Sequence, residues 1–395
     1  MSFLRQAFTV ILIGLYTIPQ RLSSAGVAII GIAGVVVVLV GVLSIAEGFE
    51  RAMISAGRPD RAIVMRQGAD SEMSSGLGGP EVDVIKQAAG IQRNGTVSVA
   101  SAEMFVVVDV NRRTTNTGSN VPLRGVDRTL LDVRPEVKIV EGRMLNFGTN
   151  EIVVGRAASE QFSGLRVGDT FRSGQTQWPV VGVFESNGSA AETEIWCDVR
   201  SLQGAFRRGN SYQSVLAKLE SPASFDTFKD WLSSNPQVDV DVKREADYYR
   251  EQSRTLTGLV QGIGWGVAFL MGLGAIIGAV LTMYSAVVAR TREIATLRAL
   301  GFGSFPVLLS ILGESMVLAL AGGLLGGALA YLGFNGFQTS TMNWQTFSQV
   351  AFGFAVTPEL LMQGVIYALI MGLLGGVFPA IRAARLPISK ALREL

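Results

Sequence analysis

The chain has 395 residues, of which 48% are hydrophobic and 17% are charged, with a mean hydropathy of +0.36 and no histidine. This composition is too apolar for an ordinary soluble enzyme. The absence of histidine excludes Ser-His-Asp and Cys-His catalysis and histidine zinc ligands, and the single Cys197 excludes an internal disulfide. The 34 basic residues nearly balance the 32 acidic ones, which argues against a nucleic-acid-binding surface.

The N-terminal segment, residues 1–21, contains an uncharged run at 8–18 behind Arg5. This run has the length of a signal-peptide core, and the Ser-Ser-Ala sequence at 23–25 resembles a cleavage site. However, a proline and an arginine follow the run, and a complete spanning segment begins soon afterwards. We therefore favour an amphipathic helix on the cytoplasmic face over a cleaved signal.

Residues 22–48 are predicted to form the first transmembrane helix. The segment 27–46 carries no charge. A helix of this length is about 30 Å long, which is enough to cross the hydrocarbon core of a bilayer.

The following stretch has a different chemistry. Residues 47–254 contain 25 Lys and Arg and 28 Asp and Glu. Runs of β-branched residues at 61–66 and 104–110 predict strands, and a proline at its first turn helps to predict a helix over 80–89. We expect a large α+β extracytoplasmic domain over residues 49–250.

Two further segments of this domain are distinctive. The residues at 221–233 have the pattern of a helix. Those at 69–79 are rich in serine and glycine, which predicts a mobile loop.

The second membrane segment is longer than a bilayer requires. The uncharged run 255–289 would form a helix about 52 Å long. We expect residues 251–289 to combine a stalk, which supports the large domain, with the second transmembrane helix.

The third and fourth transmembrane helices are predicted over residues 304–334 and 359–381, with a short extracytoplasmic loop at 335–358. Glu314 is the one charge inside the apolar runs 27–46, 255–289, 305–334 and 360–381, and such acids often serve as proton relays. Because these runs contain no second acid, lysine or histidine to pass on a proton, we favour a polar contact, for example with the N-terminal helix. The chain is thus a membrane protein with four transmembrane α-helices, arranged one plus three around the large domain.

Glycines recur at every fourth position in these helices, a spacing that lets helix backbones approach closely. Packing within one chain and a dimer interface are both consistent with this spacing. The candidate packing or dimer glycines are Gly258, Gly262, Gly266, Gly322 and Gly326.

The orientation follows from nine basic residues outside the large domain. They lie before the first span, in the 290–303 connection and in the tail at 382–395. By the positive-inside rule, both termini and this connection are cytoplasmic. The connection has the pattern of a short amphipathic helix, which we expect to present Ile294 and Leu297 beside Arg298 to a partner.

The chain resembles the stand-alone permeases of MacB- and LolC-type ABC transporters, the FtsX-like permease group. The resemblance covers nearly the whole chain and is carried by five motifs: TREIATLRALG, FPAIRAARLPISKALREL, EGRMLNFGTNEIVVGR, GLRVGD and WPVVGVFE. It implies a homodimer or a paired permease in the inner (plasma) membrane, in contact with lipid and bound to an ABC ATPase.

The resemblance also implies that the 290–303 connection is a coupling helix that contacts the ATPase. The resemblance assigns this role to Arg290, Thr291, Arg292, Glu293, Ile294, Leu297, Arg298 and Leu300. The chain has no Gly-x-x-x-x-Gly-Lys-Ser/Thr phosphate loop. We therefore expect ATP and magnesium on a separate partner subunit, and no catalytic site, metal site or cofactor on this chain.

The resemblance favours export by mechanical transmission to the outer domain, often with a periplasmic adaptor protein. Two alternatives stay open: lipoprotein extraction and sorting, and a signalling scaffold that controls a cell-wall hydrolase.

Overall fold

The structure is a computed structural model that describes residues 22–385. The predicted amphipathic helix over 1–21 and the end of the predicted tail, residues 386–395, lie outside the described residues. The first elements in chain order are α1 (Leu22–Ala56), β1 (Arg61–Arg66), β2 (Leu77–Gly78), α2 (Gly79–Ile85), β3 (Arg93–Asn94), β4 (Val97–Ser98), β5 (Ala100–Asn111), β6 (Gly118–Val126), α3 (Leu130–Val133), β7 (Lys138–Gly142), β8 (Ile152–Gly155), α4 (Arg156–Gln161) and β9 (Thr170–Ser173).

The remaining elements contain the three C-terminal membrane helices. They are β10 (Thr176–Glu185), β11 (Ile195–Asp198), α5 (Val199–Ala205), β12 (Ser211–Tyr212), β13 (Ser214–Lys218), α6 (Phe225–Ser234), β14 (Val240–Arg244), α7 (Glu245–Ala289), α8 (Thr291–Ala299), α9 (Ser304–Phe334), β15 (Gln338–Asn343), β16 (Ser348–Gly353) and α10 (Pro358–Ala384). Short 3-10 helices lie at Glu72–Ser74, Ala190–Thr193 and Pro222–Ser224.

Among the described residues, α1, α7, α9 and α10 are long and apolar enough to cross a membrane. One precedes and three follow a large α+β domain, which confirms the predicted fold class. The helix α7 begins at Glu245, earlier than the predicted 251, and α10 continues to Ala384. Both differences extend a predicted helix into flanking polar residues, where hydropathy gives no signal for a boundary.

The described residues form two compact units. The membrane unit contains residues 22–47, 258–337 and 354–385, and the outer unit contains residues 48–257 and 338–353. In the membrane unit, α1 packs its Val36 and Leu39 into a core with Ala319 of α9 and Ala368 of α10. Only 17% of the most apolar 18-residue window of α7 is buried, so most of this part of the helix is not covered by the other described residues.

The outer unit is built on a mixed ten-stranded sheet with the order β14-β1-β13-β5-β6-β11-β8-β10-β7, in which β9 pairs with β10. The pairs β6–β11 and β8–β10 are parallel, and the other pairs in this sheet are antiparallel. The largest core cluster contains Trp178 and many β-branched residues of the central strands. The parallel pair β6–β11 places the carboxyl ends of two strands at one edge of the sheet.

The local predictions in the outer unit have mixed outcomes. The strand β1 has the predicted bounds, and 104–110 lies inside β5. The predicted helix over 80–89 ends at Ile85, whereas the one over 221–233 is present as a 3-10 turn followed by α6.

The prediction of a mobile loop at 69–79 is wrong. Leu77 is buried in a short strand that pairs with β12, and Glu72 is buried where it binds Arg124. A segment rich in serine and glycine is thus held at two points. Leu77 would expose apolar surface on leaving its site, and the departure of Glu72 would remove one of the carboxylates that compensate the buried charge of Arg124.

The segment 335–358 is not a simple loop, because β15 and β16 form an antiparallel hairpin over most of its length. The hairpin belongs to the outer unit. There, Arg112 Nη2 donates to Gln349 Oε1 at 2.8 Å, Asn343 Nδ2 donates to Gln252 Oε1 at 2.8 Å, and Ala351 N–H donates to Thr193 Oγ1 at 2.8 Å. The connection between the third and fourth membrane helices is therefore attached to the outer domain.

The motif EGRMLNFGTNEIVVGR forms the connection from β7 to β8. Arg143 donates from Nη1 to Glu151 Oε2 at 2.7 Å and from Nη2 to Glu151 Oε1 at 2.6 Å, and the Asn146 N–H donates to Glu151 Oε2 at 2.9 Å. The hydrogen bonds from Arg143, more than the charge alone, lower the pKa of Glu151 to about 2. Gly142, with φ +72°, closes the turn against the backbone of Val181. This motif is therefore a structural one.

Glu151→Gln should make the stability of the outer domain less sensitive to acid. A depressed folded pKa gives stability that is fully present above the ordinary value of 4.5 and is lost as the pH falls through about 2. In thermal melts of the full chain between about pH 5 and about pH 2, the melting temperature of the natural chain should fall further than that of Glu151→Gln. Glu141→Gln, at an exposed position on β7, is the matched control and should follow the natural chain. Equal slopes for all three chains would contradict this role of Glu151.

Candidate functional site between the second and third membrane helices

The helix α8 forms the connection between α7 and α9, with clear ends. Arg290, with φ −109° and ψ 11°, separates it from α7. At its other end Gly301 has φ +95°, the Gly301 N–H donates to Arg298 O, and the Phe302 N–H donates to Leu297 O. These two hydrogen bonds form a Schellman motif, which requires a residue in the left-handed region and therefore favours glycine. The sequence LRALG thus fixes the point at which the helix stops.

One face of α8 is buried. Ile294 is 7% exposed and lies in a cluster with Met283 and Val287 of α7 and Val307 and Ile311 of α9. The expectation that Ile294 is presented to a partner is therefore wrong. The apolar ends of the two adjacent membrane helices provide a nearby surface, and burying an isoleucine there is favourable by about 1.5–3 kcal/mol.

The opposite face of α8 is exposed at Arg292, Thr296 and Leu300, which are spaced by four residues. Leu300 is 73% exposed, although it is a large apolar side chain. Leu297 and Arg298 are half-buried. The surface that is open to a partner is therefore centred on Arg292 and Leu300, and we call these two residues with Thr296 the α8 outer face.

The remaining predicted residues connect α8 to its neighbours. Thr291 Oγ1 donates to Val288 O at 2.9 Å. Arg290 Nε donates to Glu293 Oε2 at 2.9 Å, and Arg290 Nη1 donates to Glu314 Oε2 at 3.3 Å. The side chains of Arg290 and Glu314 are 15% and 6% exposed.

Glu314 therefore has a partner that the sequence prediction did not name. The prediction suggested the N-terminal helix, which lies outside the described residues. A buried carboxylate is stable when a cation compensates it, and Arg290, the residue between α7 and α8, supplies that charge. The pair links the start of the connection to the interior of α9.

The predicted glycines belong to two different surfaces. A Cβ on Gly322 would lie 2.9 Å from Ile29 O, and a Cβ on Gly326 would lie 2.6 Å from Ala33 O, so both allow α9 to approach α1 closely. In contrast, a Cβ on Gly258, Gly262 or Gly266 would meet no atom of another described element within 4 Å.

The inner face of α7 uses small residues that the sequence prediction missed. A Cβ on Gly264 would lie 2.9 Å from Val42 Cγ1 of α1, and Gly272 contacts the hydroxyl of Tyr367, which donates to Ala268 O at 2.8 Å. Gly264, Ala268 and Gly272 also have a spacing of four. The spacing of four correctly indicates close helix packing, but two different series of small residues on α7 have this spacing.

A buried ion pair in the outer unit joins the end of α1 to the start of α7. Arg61 is fully buried and donates from Nε to Glu245 Oε2 at 2.5 Å and from Nη2 to Ala56 O at 3.0 Å. The Arg58 N–H donates to the same Glu245 oxygen at 3.0 Å, and a Cβ on Gly57 would lie 2.6 Å from Ala246 Cα. We call these contacts the helix joint. The sequence analysis did not single out Arg61 or Glu245.

The helix joint continues into a larger buried network. Arg124 binds Glu72, Glu103 and Glu194 at 2.7 to 2.8 Å. Burial alone would raise the pKa of Glu72, but the charge of Arg124 and hydrogen bonds from Arg124 and Ser214 bring it below its ordinary value. Cys197 is buried nearby, and burial raises the pKa of its thiol well above its ordinary range, which makes it a poor nucleophile.

The pair between Arg290 and Glu314 should behave as one unit. Arg290→Gln removes the cation that faces the buried carboxylate of Glu314, and Glu314→Gln removes one of the two carboxylates that bind Arg290, so each should lower the melting temperature of the full chain in nanodiscs. The double substitution should cost less than the sum, with a coupling energy of about 0.5–3 kcal/mol from a double-mutant cycle. Strict additivity would contradict the pairing. The same cycle with Arg385 and Glu314 is the control, and it should be additive.

Comparisons with known proteins cover nearly the whole chain. A family model described as a MacB-like periplasmic core domain matches residues 25–234, which is more than half of the chain. A second model, described as an FtsX-like permease C-terminal domain, matches residues 265–388. The second match includes α8, α9 and α10.

The relatives agree with these matches. The chain is 23% identical to the macrolide export ATP-binding/permease protein MacB of Bdellovibrio bacteriovorus, over 96% of this chain and 61% of that protein. It is 31% identical to the uncharacterized ABC transporter permease YknZ of Bacillus subtilis, over 32% of this chain and 29% of that protein. The chain thus spans less than two thirds of the length of these relatives. A crystal structure of the periplasmic region of MacB from Actinobacillus actinomycetemcomitans aligns over 49% of this chain with a TM-score of 0.37 and 13% identity.

Proposed function

The chain belongs to the MacB-like and FtsX-like family of ABC transporter permeases, and we propose that it transmits motion from a separate ATPase to its outer domain. In this proposal it lies in the inner (plasma) membrane with both termini in the cytoplasm. The ATPase binds ATP and magnesium, and this chain takes no part in the chemistry of hydrolysis.

The observation that carries the proposal is the helix joint. The helices α1 and α7 both contribute residues to the membrane unit and to the outer unit. Within the outer unit, Glu245 accepts hydrogen bonds from Arg61 and from the Arg58 N–H, and Arg61 also binds the carbonyl of Ala56. In this proposal a displacement of either helix is delivered to the other and to β1, because separating them would break the 2.5 Å ion pair between Arg61 and Glu245, the shorter of the two that Arg61 makes with Glu245 and Glu136.

The α8 outer face supplies the proposed ATPase contact. A cation at Arg292 and a large apolar group at Leu300 fit a groove on a soluble partner, with the charge guiding the encounter and the leucine filling a pocket. The ion pair from Arg290 to Glu314 would then carry a displacement of α8 into α9.

We propose that transport is directed outward, and the support for this comes from the names of the relatives. The MacB relative from Bdellovibrio bacteriovorus is named for macrolide export, and this supports export over lipoprotein sorting or signalling for this chain. A periplasmic adaptor protein is part of the same proposal.

The proposal is tested by substituting residues of the proposed ATPase contact and of the helix joint in separate variants. Arg292→Glu should abolish co-purification of the ATPase and its stimulation, because a reversed charge opposes docking. Glu245→Gln should retain the ATPase but lose ATP-dependent motion of the outer domain. That motion can be measured with a spin label on Gln175→Cys, an exposed position, since the buried native Cys197 will not react readily.

Two controls match these substitutions. Arg385→Glu changes a basic residue outside α8 and should retain the ATPase, and Glu251→Gln changes an exposed carboxylate of α7 and should retain the motion. Melting curves identify any variant that fails to fold. Full ATP-dependent motion in a folded Glu245→Gln chain would contradict transmission through the helix joint, and a retained ATPase in Arg292→Glu would contradict docking on α8.

We also propose that the open face of α7, with Gly258, Gly262 and Gly266, packs against a second permease. Three glycines at a spacing of four, with no covering element among the described residues, allow another helix to approach at backbone distance. Trp265 and Phe269 lie on the exposed surface of the same helix and would add apolar contact area.

Leucine substitutions distinguish this contact from packing within the chain. Gly258→Leu with Gly262→Leu should lower the dimer fraction, measured by mass photometry in nanodiscs, and leave the melting temperature of the monomer nearly unchanged. Gly322→Leu with Gly326→Leu should instead prevent stable folding, because α9 cannot then approach α1. Gly333→Leu adds the same bulk at an open glycine of α9 and should change neither quantity. A natural chain that is monomeric, or a dimer that survives the first pair of substitutions, would refute the assignment.

A further inference from the structure

The outer unit contains a polar cleft of about 300 Å³ that the coupling path does not use. It lies at the edge of the sheet where the parallel strands β6 and β11 end, and its wall includes residues of α2 and the ring of Tyr212. Ligands of sheets with parallel strands commonly bind at the carboxyl ends of those strands. Ligand clefts range from about 300 to 1,000 Å³, so this one would suit a small molecule.

Two of the residues that line this cleft, Arg128 and Arg200, are arginines that follow the ends of β6 and β11. In the register of the parallel pair, Val126 lies beside Asp198, and Arg128 and Arg200 each follow two residues later. Arg200 donates from Nη1 to Asn210 Oδ1 at 3.0 Å and lies 5.8 Å from the centre of the Tyr212 ring. These contacts restrict the guanidinium of Arg200 before any ligand binds, and guanidinium groups match the two oxygens of a carboxylate.

Most of the other charged side chains of the cleft already have ion-pair or hydrogen-bond partners, and one carboxylate is available to a ligand. Lys86 Nζ pairs with Asp127 Oδ2 at 2.5 Å. Asp198 accepts hydrogen bonds from the backbone N–H groups of Arg200 and Gly148. Asp83 of α2 is exposed and makes no ion pair with a described residue. The cleft therefore offers guanidinium groups on the strand side and one available carboxylate on the helix side.

We propose that this cleft binds a short zwitterionic peptide, with its α-carboxylate on Arg128 and Arg200 and its α-ammonium on Asp83. A simple anion would meet the negative Asp83, and a simple cation would meet two arginines. A molecule with both charges at its two ends complements both sides. The proposal goes beyond the coupling function and does not depend on it, because the cleft lies within the outer unit.

The probe is L-alanyl-L-alanine, titrated calorimetrically into the full chain in nanodiscs without ATPase. The natural chain should bind it, and Arg128→Gln with Arg200→Gln should lower the affinity at least tenfold, as expected for the loss of charge-assisted hydrogen bonds worth about 1.4 kcal/mol or more. Arg172→Gln, an exposed arginine on β9, is the matched control and should bind like the natural chain.

Blocked peptides assign each end of the ligand. The C-terminal amide should bind no better to the natural chain than to the double arginine variant. Asp83→Asn should weaken binding of alanyl-alanine and should not change binding of its N-acetyl form. No binding by the folded natural chain, equal binding by the double arginine variant, or equally tight binding of the N-acetyl peptide would each overturn the proposal, the last in favour of a polypeptide C-terminus.

Discussion

The contact between Arg61 and Glu245 is the interaction on which the outer half of the molecule depends. Both side chains are completely buried, and the cost of removing these charges from water is offset by ion pairs: Arg61 binds Glu245 at 2.5 Å and Glu136 at 2.7 Å, and Arg134 lies 3.9 Å from Glu245. Such a cluster adds little net stability over apolar replacements, but it disfavours any arrangement that separates its members. Because Arg61 also binds the last carbonyl of α1, the proposed function treats the end of α1 and the start of α7 as one rigid element.

The membrane unit follows the opposite principle and uses few charges. Its helices approach through Gly322, Gly326 and Gly264, where a side chain would collide with a neighbouring backbone or valine. Close backbone approach gives many dispersion contacts without polar groups, which suits a lipid environment. The buried pair of Arg290 and Glu314 lies where the connection α8 meets this apolar packing. Each of the two regions through which we propose that motion passes thus contains one buried ion pair.

Much of this fold could be predicted from the sequence because membrane spans are set by composition and length. The rotation of each helix about its own axis could not be predicted in this way, and Ile294 illustrates the reason. Its spacing with Leu297 and Arg298 defines a helix face, but only the packing of α7 against α9 decides that this face is turned inward. The glycines of α7 present the same problem, since Gly258 and Gly264 begin two registers with equal spacing, and the position of α1 selects the second for the interior.

Contacts between residues far apart in the chain were equally invisible to the sequence. The sequence predicted only a short extracytoplasmic loop where the hairpin β15–β16 lies, and nothing local indicates that Arg112 will bind Gln349, 237 residues away. The attachment of the hairpin to the outer unit also affects the proposed coupling path. The hairpin is covalently joined to α9 and α10 and forms part of the outer unit, so a displacement of these helices has its own connection to the outer domain. A path that ran only through α1 and α7 would leave the Arg290–Glu314 pair, which acts on α9, without an outlet. In the proposed function the hairpin would supply that outlet, and the two ion pairs would then belong to parallel branches of one path.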